Sequence, residues 1–585
     1  MNQKKYPLLF LIPYLRRYRY RMAIGSFMVV MTVLAGMFSP WILKYVVDDL
    51  RTAAIKEKLP FYAALILGIS IVEGFFRFWM RKILIGVSRE IEYDLRNDFL
   101  AHIQRLSLAF LQSRRTGDIM SRATNDLNAV RSVLGPGIMY SMNTITLVII
   151  STSILLNLNW KLTLLAYIPL VLVSLTVKKL GRQIHDRFEV IQEQFSNMST
   201  KVQENISGIR VVKAFAREES EIDVFRELNL EYIRRNIKLI RLWGVFYPMM
   251  TALIGMSSVA LLWFGGRQVI EGYLTLGEFV AFMGYLAMLT WPTIAVGWVI
   301  NIFQRGAASM GRILEIMETE PEISDVPDAA VPECVQGDLE FRNLTFRYPN
   351  SNMPVLNNIN LKIAAGTTLA IVGHTGSGKS TLINLIPRLF DPPPGTVFLD
   401  GRDVRRWPLA DLRGTIGYVP QETFLFSDTI RENIAFGKDN GLSDSDADWA
   451  ARVSQIADDI ETFSHKMQTY VGERGITLSG GQKQRVAISR AVAILPKILI
   501  FDDSLSNVDT YTEERILAQL TEVMKDRTTI LVSHRISTVK NAHQIVVLKD
   551  GCIVEHGTHE SLMTLEGVYS DLYHKQLLEE ELEVT

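Results

Sequence analysis

The sequence is poor in cysteine and carries no excess of either charge. Its 2 cysteines, Cys334 and Cys552, lie far apart and outside any CxxC or Cys/His spacing, which excludes a recognisable disulfide framework or zinc site. The 62 Lys+Arg balance the 62 Asp+Glu, so the formal net charge is 0 and no bulk basic field is present to recruit nucleic acid. We therefore expect a reducing environment and no nucleic-acid partner.

Long hydrophobic runs are missing after residue 305 but frequent before it. The first of these runs, Ala23–Leu43, would form a helix about 31 Å long, which is the thickness of a bilayer core. A soluble protein with buried core helices would not confine such runs to one half of the chain. We therefore predict an all-α transmembrane domain over residues 1–316. Its six predicted spans are Ala23–Leu43, Leu59–Met80, Ser132–Trp160, Leu162–Val177, Leu242–Gly266 and Phe279–Gln304.

Basic residues before the first run set the predicted orientation. Cations flank the cytoplasmic side of membrane spans, so the N-terminus is expected in the cytoplasm. An even number of spans then returns the C-terminal half to the cytoplasm. The cations are Lys4, Lys5, Arg16, Arg17, Arg19 and Arg21.

Two cytoplasmic connections, 81–131 and 178–241, are long, charged and poor in helix breakers. Each is expected to be a helical hairpin that projects tens of ångströms from the bilayer. The first breaks near 112–117 and the second near 217–220. These tips are either contact points for the rest of the protein or simple solvated turns.

An opposite-charge pair lies within the second span. Glu73 and Arg77 stand at i,i+4, where two side chains share one helix face. A charge at bilayer depth costs roughly 2.5–3.5 kcal/mol, so the pair is expected to face the bundle interior or a water-filled cavity. Substrate contact and helix packing both remain possible roles.

The composition changes after the last span. Residues 317–337 are rich in proline and acid and are expected to be a linker. Residues 338–585 alternate β-branched runs with helical patterns, as in Leu369–Val372, Ile498–Phe501 and Thr528–Val532. This alternation predicts an α/β domain with a partly parallel sheet.

A phosphate-binding loop follows the first of these strands. Residues 373–380 read GHTGSGKS, which fits G-x-x-x-x-G-K-[ST]. In such a loop the backbone N–H groups and the N-terminus of the next helix surround the phosphates. The expected contacts to a nucleoside triphosphate and Mg²⁺ come from Gly373, Thr375, Gly376, Ser377, Gly378, Lys379, Ser380 and Thr381.

Two carboxylates follow a second apolar strand. Asp502 ends the run Ile498–Phe501 and is expected to bind the metal, together with Ser380. Asp503 then stands where a residue could align the attacking water.

The next residues resemble a known family. Leu478–Gln482 reads LSGGQ, about 20 residues before Asp502, and looks like the signature of ABC transporters. Six spans with long cytoplasmic hairpins before one nucleotide-binding domain resemble a half-transporter of the type IV exporters. Further matches in chain order are Tyr348 for adenine stacking, Gln421 for the Q-loop, Val471–Gly475 for the X-loop, Ser506–Asp509 for the D-loop and His534 for the switch histidine.

The resemblance implies an ATPase coupled to export, with ATP and Mg²⁺ as cofactors. It gives Gln421 a metal contact and a catalytic role beside Asp503 and His534. It also implies two chains, because Ser479, Gly480, Gly481 and Gln482 would contact ATP held by the partner subunit. The expected setting is the bacterial inner or plasma membrane, and the expected cargo is an amphipathic drug or lipid.

One position departs from the family pattern. Efficient ABC sites carry Glu where this chain has Asp503, which is shorter by one methylene, or roughly 1.5 Å. A misplacement of about 1 Å can cost on the order of 10²-fold in rate. The chain thus resembles the degenerate-site subunit of bacterial heterodimeric multidrug exporters. A homodimeric lipid or peptide exporter, and an ATP-binding regulatory or channel-like membrane protein, remain as alternatives.

Overall fold

The structure is a computed structural model that describes residues 6–50, 55–327, 329, 334–349, 351, 353–438, 441–504, 510–533 and 539–584. The chain divides into two compact units. The first unit holds Met1–Gln104 and Gly117–Thr319, and the second holds Arg105–Thr116 and Glu320–Thr585.

Most described residues of the first unit are helical; the helix Ile138–Ser207 packs along Glu218–Ala260, and Leu276–Met317 packs against Arg19–Asp49 and Ile138–Ser207. Among the residues that the structure describes, five stretches are long and apolar enough to cross a bilayer: Arg19–Asp49, Glu57–Arg105, Thr116–Ser207, Glu218–Ile270 and Leu276–Met317. The helices are α1 (Ile12–Arg17), α2 (Arg19–Asp49), α3 (Ile55–Arg105), α5 (Thr116–Ser121), α6 (Leu127–Ser132), α7 (Ile138–Ser207), α8 (Ile209–Ala214), α9 (Glu218–Ala260), α10 (Gly266–Ile270) and α11 (Leu276–Met317), with π-helical turns at Arg122–Asp126, Val133–Gly137 and Leu261–Gly265 and a 3-10 turn at Pro7–Leu11.

The chain reverses direction inside α7. Asn159 leaves the helical conformation, with φ −161° and ψ 104°. Its side-chain oxygen accepts a hydrogen bond from the Leu162 N–H at 3.0 Å, which caps the segment that follows. Thr152 and Tyr167 are hydrogen-bonded to each other, whereas residues 15 apart in a straight helix would be about 22 Å apart. Because α7 reverses direction at Asn159, the five apolar stretches contain six helical segments. That all six cross the membrane stays a prediction.

The N-terminus of α11 is held against the end of α2. Asp48 accepts hydrogen bonds from the Gly277 N–H at 2.7 Å and from the Thr275 hydroxyl at 2.8 Å. Thr275 also forms a capping box with Glu278, and Lys44 pairs with Glu278 at 3.1 Å. A Cβ at Gly277 would lie 2.0 Å from the Lys44 carbonyl oxygen, so only glycine permits this approach.

A charged network joins the π-helical turn Arg122–Asp126 to α11. Asp126 is buried and accepts hydrogen bonds from the Ser309 hydroxyl at 2.9 Å and from Arg312 Nε at 2.8 Å. Arg122, also buried, pairs with Glu315 at 2.9 Å. A buried charge is tolerated only when it is paired in this way.

The second unit contains two sheets, and its α/β fold confirms the prediction. The strands are β1 (Leu339–Phe346), β2 (Leu356–Ile363), β3 (Thr368–Val372), β4 (Val397–Leu399), β5 (Arg402–Asp403), β6 (Ile416–Val419), β7 (Ile498–Asp502), β8 (Thr528–Val532), β9 (Gln544–Lys549) and β10 (Cys552–Gly557). The six-stranded sheet has the order β10-β9-β3-β8-β7-β6, with β6, β7, β8, β3 and β9 parallel and β10 antiparallel. The four-stranded sheet, β2-β1-β4-β5, is antiparallel.

Strands β3, β7 and β8 are buried along their whole length, as expected for the centre of a covered parallel sheet. The helices of this unit are α4 (Leu108–Ser113), α12 (Lys379–Asn384), α13 (Leu409–Gly414), α14 (Ile430–Ala435), α15 (Asp444–Val453), α16 (Ala457–Thr462), α17 (Gly480–Ala493), α18 (Thr510–Met524), α19 (His559–Thr564) and α20 (Val568–Val584), with 3-10 turns at Val404–Arg406, Lys466–Gln468 and Glu473–Gly475.

The tip of the first hairpin belongs to the second unit. Residues 105–116 contain α4, and Leu108 and Ala109 pack against the hydrophobic core of that unit. The Ser107 hydroxyl donates to Glu322 at 2.8 Å and also caps α4 by accepting from the Phe110 N–H. The tip is therefore partly buried and is not a fully solvated turn.

Candidate nucleotide-binding site

The phosphate-binding loop connects β3 to α12, and its glycines are required by the backbone. Gly373 has φ +149°, and a Cβ there would lie 2.2 Å from the Leu548 carbonyl oxygen. Gly378 has φ +102°, and its Cβ would lie 2.8 Å from a methyl carbon of Leu356. Such φ values favour glycine, so the loop can be built only with glycine at these positions.

A cavity of about 280 Å³ lies beside this loop. It brings together most of the predicted site residues, including both carboxylates that follow β7. The lining residues are Val355, Thr375, Gly376, Gly378, Lys379, Ser380, Thr381, Gln421, Asp502, Asp503 and Val532.

Lys379 is buried and folds back over the loop. Its ammonium donates to the carbonyl oxygens of Gly373 at 2.7 Å and His374 at 3.0 Å. An ammonium has three donors, so one remains for a phosphate oxygen. Burial lowers the pKa of Lys379, and the charges of Asp503 and Asp502 oppose this shift.

Ser380 and Asp502 offer the oxygen ligands that Mg²⁺ prefers. The Ser380 hydroxyl donates to Asp502 Oδ1 at 3.1 Å, and Asp502 is 3% exposed. Burial raises the pKa of Asp502, while Ser380 and Lys379 act in the opposite direction. Among the residues that the structure describes, no group of three His, Cys, Asp or Glu side chains could hold a metal. Phosphate oxygens and water would complete the coordination of the ion, as in other phosphate-bound magnesium sites, and the metal contact of Gln421 stays a prediction.

Ser377 provides a direct test of whether phosphate fits the loop. Its hydroxyl oxygen is buried and has no hydrogen-bond partner among the described residues. A buried hydroxyl without a partner is costly, and a phosphate oxygen would satisfy it. The donors of Ser377, Lys379 and the loop backbone thus suit ATP.

Of the three predicted catalytic residues, the structure describes Asp503 and Gln421. Asp503 lines the cavity and has φ +46°, a left-handed conformation that Asp tolerates better than most residues. Its backbone N–H donates to the Val532 carbonyl oxygen at 2.8 Å. Gln421 lines the same cavity and is exposed. His534 and the predicted D-loop, Ser506–Asp509, lie outside the described residues.

Tyr348 lies beside the loop but does not line this cavity. Its hydroxyl is hydrogen-bonded to the Thr381 hydroxyl at 2.9 Å, and its ring meets Phe390 edge-on at 4.9 Å. Adenine stacking on Tyr348 stays a prediction. Sequence reasoning missed Val355 and Val532, which line the cavity. Val532 ends β8 and could have been found from that position, whereas no sequence signal marks Val355.

The signature residues form an exposed helix N-terminus. Ser479 caps α17, and Gln482 completes a capping box with it. The Gln482 side-chain amide also donates a hydrogen bond to Asp459 Oδ1 at 2.8 Å, which holds this side chain in place. None of Ser479, Gly480, Gly481 or Gln482 lines the cavity of this chain.

Both halves of the chain match known protein families. Residues 22–293 match the ABC transporter transmembrane region, and residues 356–506 match the ABC transporter family. The chain belongs to the ABC transporter family. The transport-coupled ATPase and its use of ATP with Mg²⁺ are confirmed by this membership.

Curated relatives cover almost the whole chain. One is the "Probable multidrug resistance ABC transporter ATP-binding/permease protein YheI" of Bacillus subtilis, 36% identical over 563 residues, 96% of this chain and 95% of the relative. Another is the ATP-dependent lipid A-core flippase of Desulfotalea psychrophila, 36% identical over 540 residues, 91% of this chain and 93% of the flippase.

A solved structure shares the fold. A bacterial Atm1-family ABC exporter with ATP bound superposes with a TM-score of 0.79 at 28% identity, over 96% of this chain and 98% of the exporter. The predicted fold class, a helical transmembrane domain followed by a P-loop ABC nucleotide-binding domain, is confirmed. The chain is therefore an exporter-type, multi-pass membrane ABC transporter.

Proposed function

We propose that this ABC transporter is one half of a heterodimeric exporter of amphipathic drugs or lipids. Relatives named for multidrug resistance and for lipid A-core flipping support this cargo class. Our proposed domain limits are 1–316 for the six-span membrane domain, 317–337 for the linker and 338–585 for the ATPase domain. The cations before the first span support a cytoplasmic ATPase domain at the bacterial inner or plasma membrane.

The single observation that supports an unlike partner subunit is the presence of Asp at position 503. It lines the nucleotide cavity beside Asp502, where an efficient ABC site would have Glu. The shorter side chain holds its carboxylate roughly 1.5 Å further from a water that must be aligned, and about 1 Å of misplacement can cost 10²-fold in rate. A transporter with two such sites would turn over slowly.

The signature of the same chain is complete. Ser479 opens α17 with its capping box in place and is exposed to solvent. A helix N-terminus that is free to meet an anion can bind a γ-phosphate held by another subunit. We infer that this chain contributes a working signature to a competent site on the partner subunit.

Two substitutions test the asymmetry. Asp503→Ala should leave most of the steady-state ATPase of the purified complex intact, because the competent site uses the partner's carboxylate. Ser479→Arg should be far more damaging, because it places a bulky cation where the partner-bound γ-phosphate docks. The mass of the complex under native conditions checks that two unlike subunits are present.

A homodimeric lipid or peptide exporter predicts the opposite pattern. Both substitutions would then affect every site, and both would abolish most ATPase activity. Near-complete loss with Asp503→Ala would refute the asymmetric assembly and make Asp503 the working catalytic residue. A regulatory or channel-like role would instead be indicated if sealed vesicles show no ATP-dependent uphill transport.

A further inference from the structure

Asp459 connects α16 to the first turns of α17, the helix that begins with the signature residues. Its Oδ1 accepts a hydrogen bond from Gln482 Nε2 at 2.8 Å, and its Oδ2 accepts one from Arg485 Nη1 at 2.7 Å. The side chain of Asp459 is 26% exposed and that of Arg485 is 15% exposed, so solvent competes little with this pair. Each carboxylate oxygen of Asp459 therefore has its own donor on α17.

The bond to Asp459 determines which way the Gln482 side-chain amide points. A carboxylate can only accept hydrogen bonds, so the NH2 group of the amide must face it. The amide oxygen then faces the other way, where it accepts from the Ser479 N–H at 3.0 Å. The Ser479 hydroxyl in turn accepts from the Gln482 N–H at 3.3 Å. Asp459 thereby selects the amide orientation that closes the capping box.

The closed capping box decides which donors remain at the start of α17. The first four N–H groups of a helix have no acceptor within the helix. Ser479 and Gln482 satisfy each other's N–H groups, so the capping box leaves those of Gly480 and Gly481. Because glycine has no side chain to cover these two donors, a phosphate can approach them closely.

Apolar packing fixes the backbone that carries Asp459 against α17. Ile456 and Ile460, on either side of Asp459, are 0% and 2% exposed. They share one hydrophobic cluster with Leu478 and Val486, which lie on either side of the signature. A substitution of Asp459 alters polar contacts and leaves this packing intact, so the fold should persist.

We propose that Asp459 is a positioning residue for ATP hydrolysis. It orients Gln482 so that the N–H groups of Gly480 and Gly481 meet the γ-phosphate held by the partner subunit. In this role Asp459 acts through Gln482 and does not itself contact the nucleotide. The inference rests on the function proposed above for the signature, and it holds for a like or an unlike partner.

Asp459→Asn tests the orientation because it exchanges one acceptor for a donor. Arg485 can only donate, so it takes the single amide oxygen of the new side chain. The new NH2 group then faces Gln482 and turns that amide over, which opens the capping box. We expect kcat for ATP hydrolysis by the purified complex to fall about tenfold. Labelled ATP should bind the isolated full-length chain with unchanged affinity, because none of these residues lines its own cavity.

Asp458→Asn is the matched control. Asp458 precedes Asp459 in the same helix and is exposed, so its replacement makes the same change in charge and should leave kcat unchanged. The proposal is overturned if both variants lower kcat equally, or if Asp459→Asn changes it less than twofold. A loss of ATP affinity in the isolated Asp459→Asn chain would indicate a structural role and would also overturn it.

A double substitution separates positioning through Gln482 from any other effect. Gln482→Ala removes the amide through which Asp459 acts, so the addition of Asp459→Asn should lower kcat no further. A further loss of about tenfold in the double variant would overturn the proposal.

Ser479→Arg in the same assay tests the function on which the inference rests. If that variant keeps normal ATPase activity, the signature does not serve the partner's site, and both proposals fail. If Ser479→Arg abolishes activity and Asp459→Asn does not lower it, only the role of Asp459 is wrong.

Discussion

Ser380 donates its hydroxyl to Asp502 Oδ1 at 3.1 Å, although 122 positions separate them in the chain. Ser380 stands in the first turn of α12, after β3, and Asp502 ends β7. Strand β8 pairs in parallel with both β3 and β7, so the carboxyl ends of all three lie at one edge of the sheet. The sheet thereby brings the two predicted magnesium ligands together from distant segments of the chain.

Removing the loop ammonium should weaken ATP binding. Lys379→Ala deletes a charge-assisted contact worth about 1.5–3 kcal/mol, which corresponds to a roughly 10- to 100-fold loss of affinity. The measurement is binding of labelled ATP to the isolated mutant subunit. Lys497→Ala, at an exposed lysine of the same domain, is the control. Wild-type affinity in the Lys379 variant would contradict the assignment of the loop.

Neutralising the buried carboxylate should stabilise the nucleotide-free protein. Burial raises the pKa of Asp502, so the folded state disfavours its charged form and loses stability as the pH rises through that pKa. Asp502→Asn should raise the thermal midpoint at neutral pH, by about 2–4 °C per kcal/mol regained. The gain should shrink as the pH is lowered, because wild-type Asp502 then becomes neutral. Thermal melts at several pH values measure it, and a lower midpoint at neutral pH contradicts the argument.

Lengthening the side chain of Asp503, the predicted catalytic residue, should distinguish a homodimer from a heterodimer by the size of the change in ATPase rate. Asp503→Glu restores the missing methylene, although Glu tolerates the observed φ of +46° less well than Asp. In a homodimer every site would improve, by up to about 10²-fold in rate. In a heterodimer only the weak site changes, so steady-state ATPase should rise no more than about twofold. A large increase would therefore favour the homodimer.

The hairpin tips should couple ATP hydrolysis to transport. Leu108, at the first tip, packs against the hydrophobic core of the second unit. Phe215, at the second tip, is 74% exposed and available to a partner subunit. Leu108→Ser and Phe215→Ser should each reduce vesicle transport by about two- to thirtyfold, the range of coupling energies of 0.5–2 kcal/mol. ATP affinity should change little. Ile270→Ser removes a similar exposed side chain away from both tips and serves as the control.

If either tip variant transports like the wild type, that tip does not couple ATP hydrolysis to transport. If ATP affinity falls in parallel with transport, the substitution has damaged the nucleotide-binding site of the second unit. Replacement of Thr116–Gly117 or of residues near Phe215–Glu218 extends the test to each whole tip.

Features that depend on the spacing of neighbouring residues could be predicted from the amino-acid sequence. Apolar runs of bilayer length, the eight-residue phosphate loop and the LSGGQ segment each carry their chemistry within a few residues, so the fold class and most cavity-lining residues could be predicted. Contacts that depend on long-range packing could not be predicted in this way. Only the folded chain shows Asn159 reversing α7, Asp126 meeting Arg312, and Val355 lining the cavity. Each contact joins segments whose approach is fixed by the packing of other elements, and the spacing of neighbouring residues cannot encode that approach.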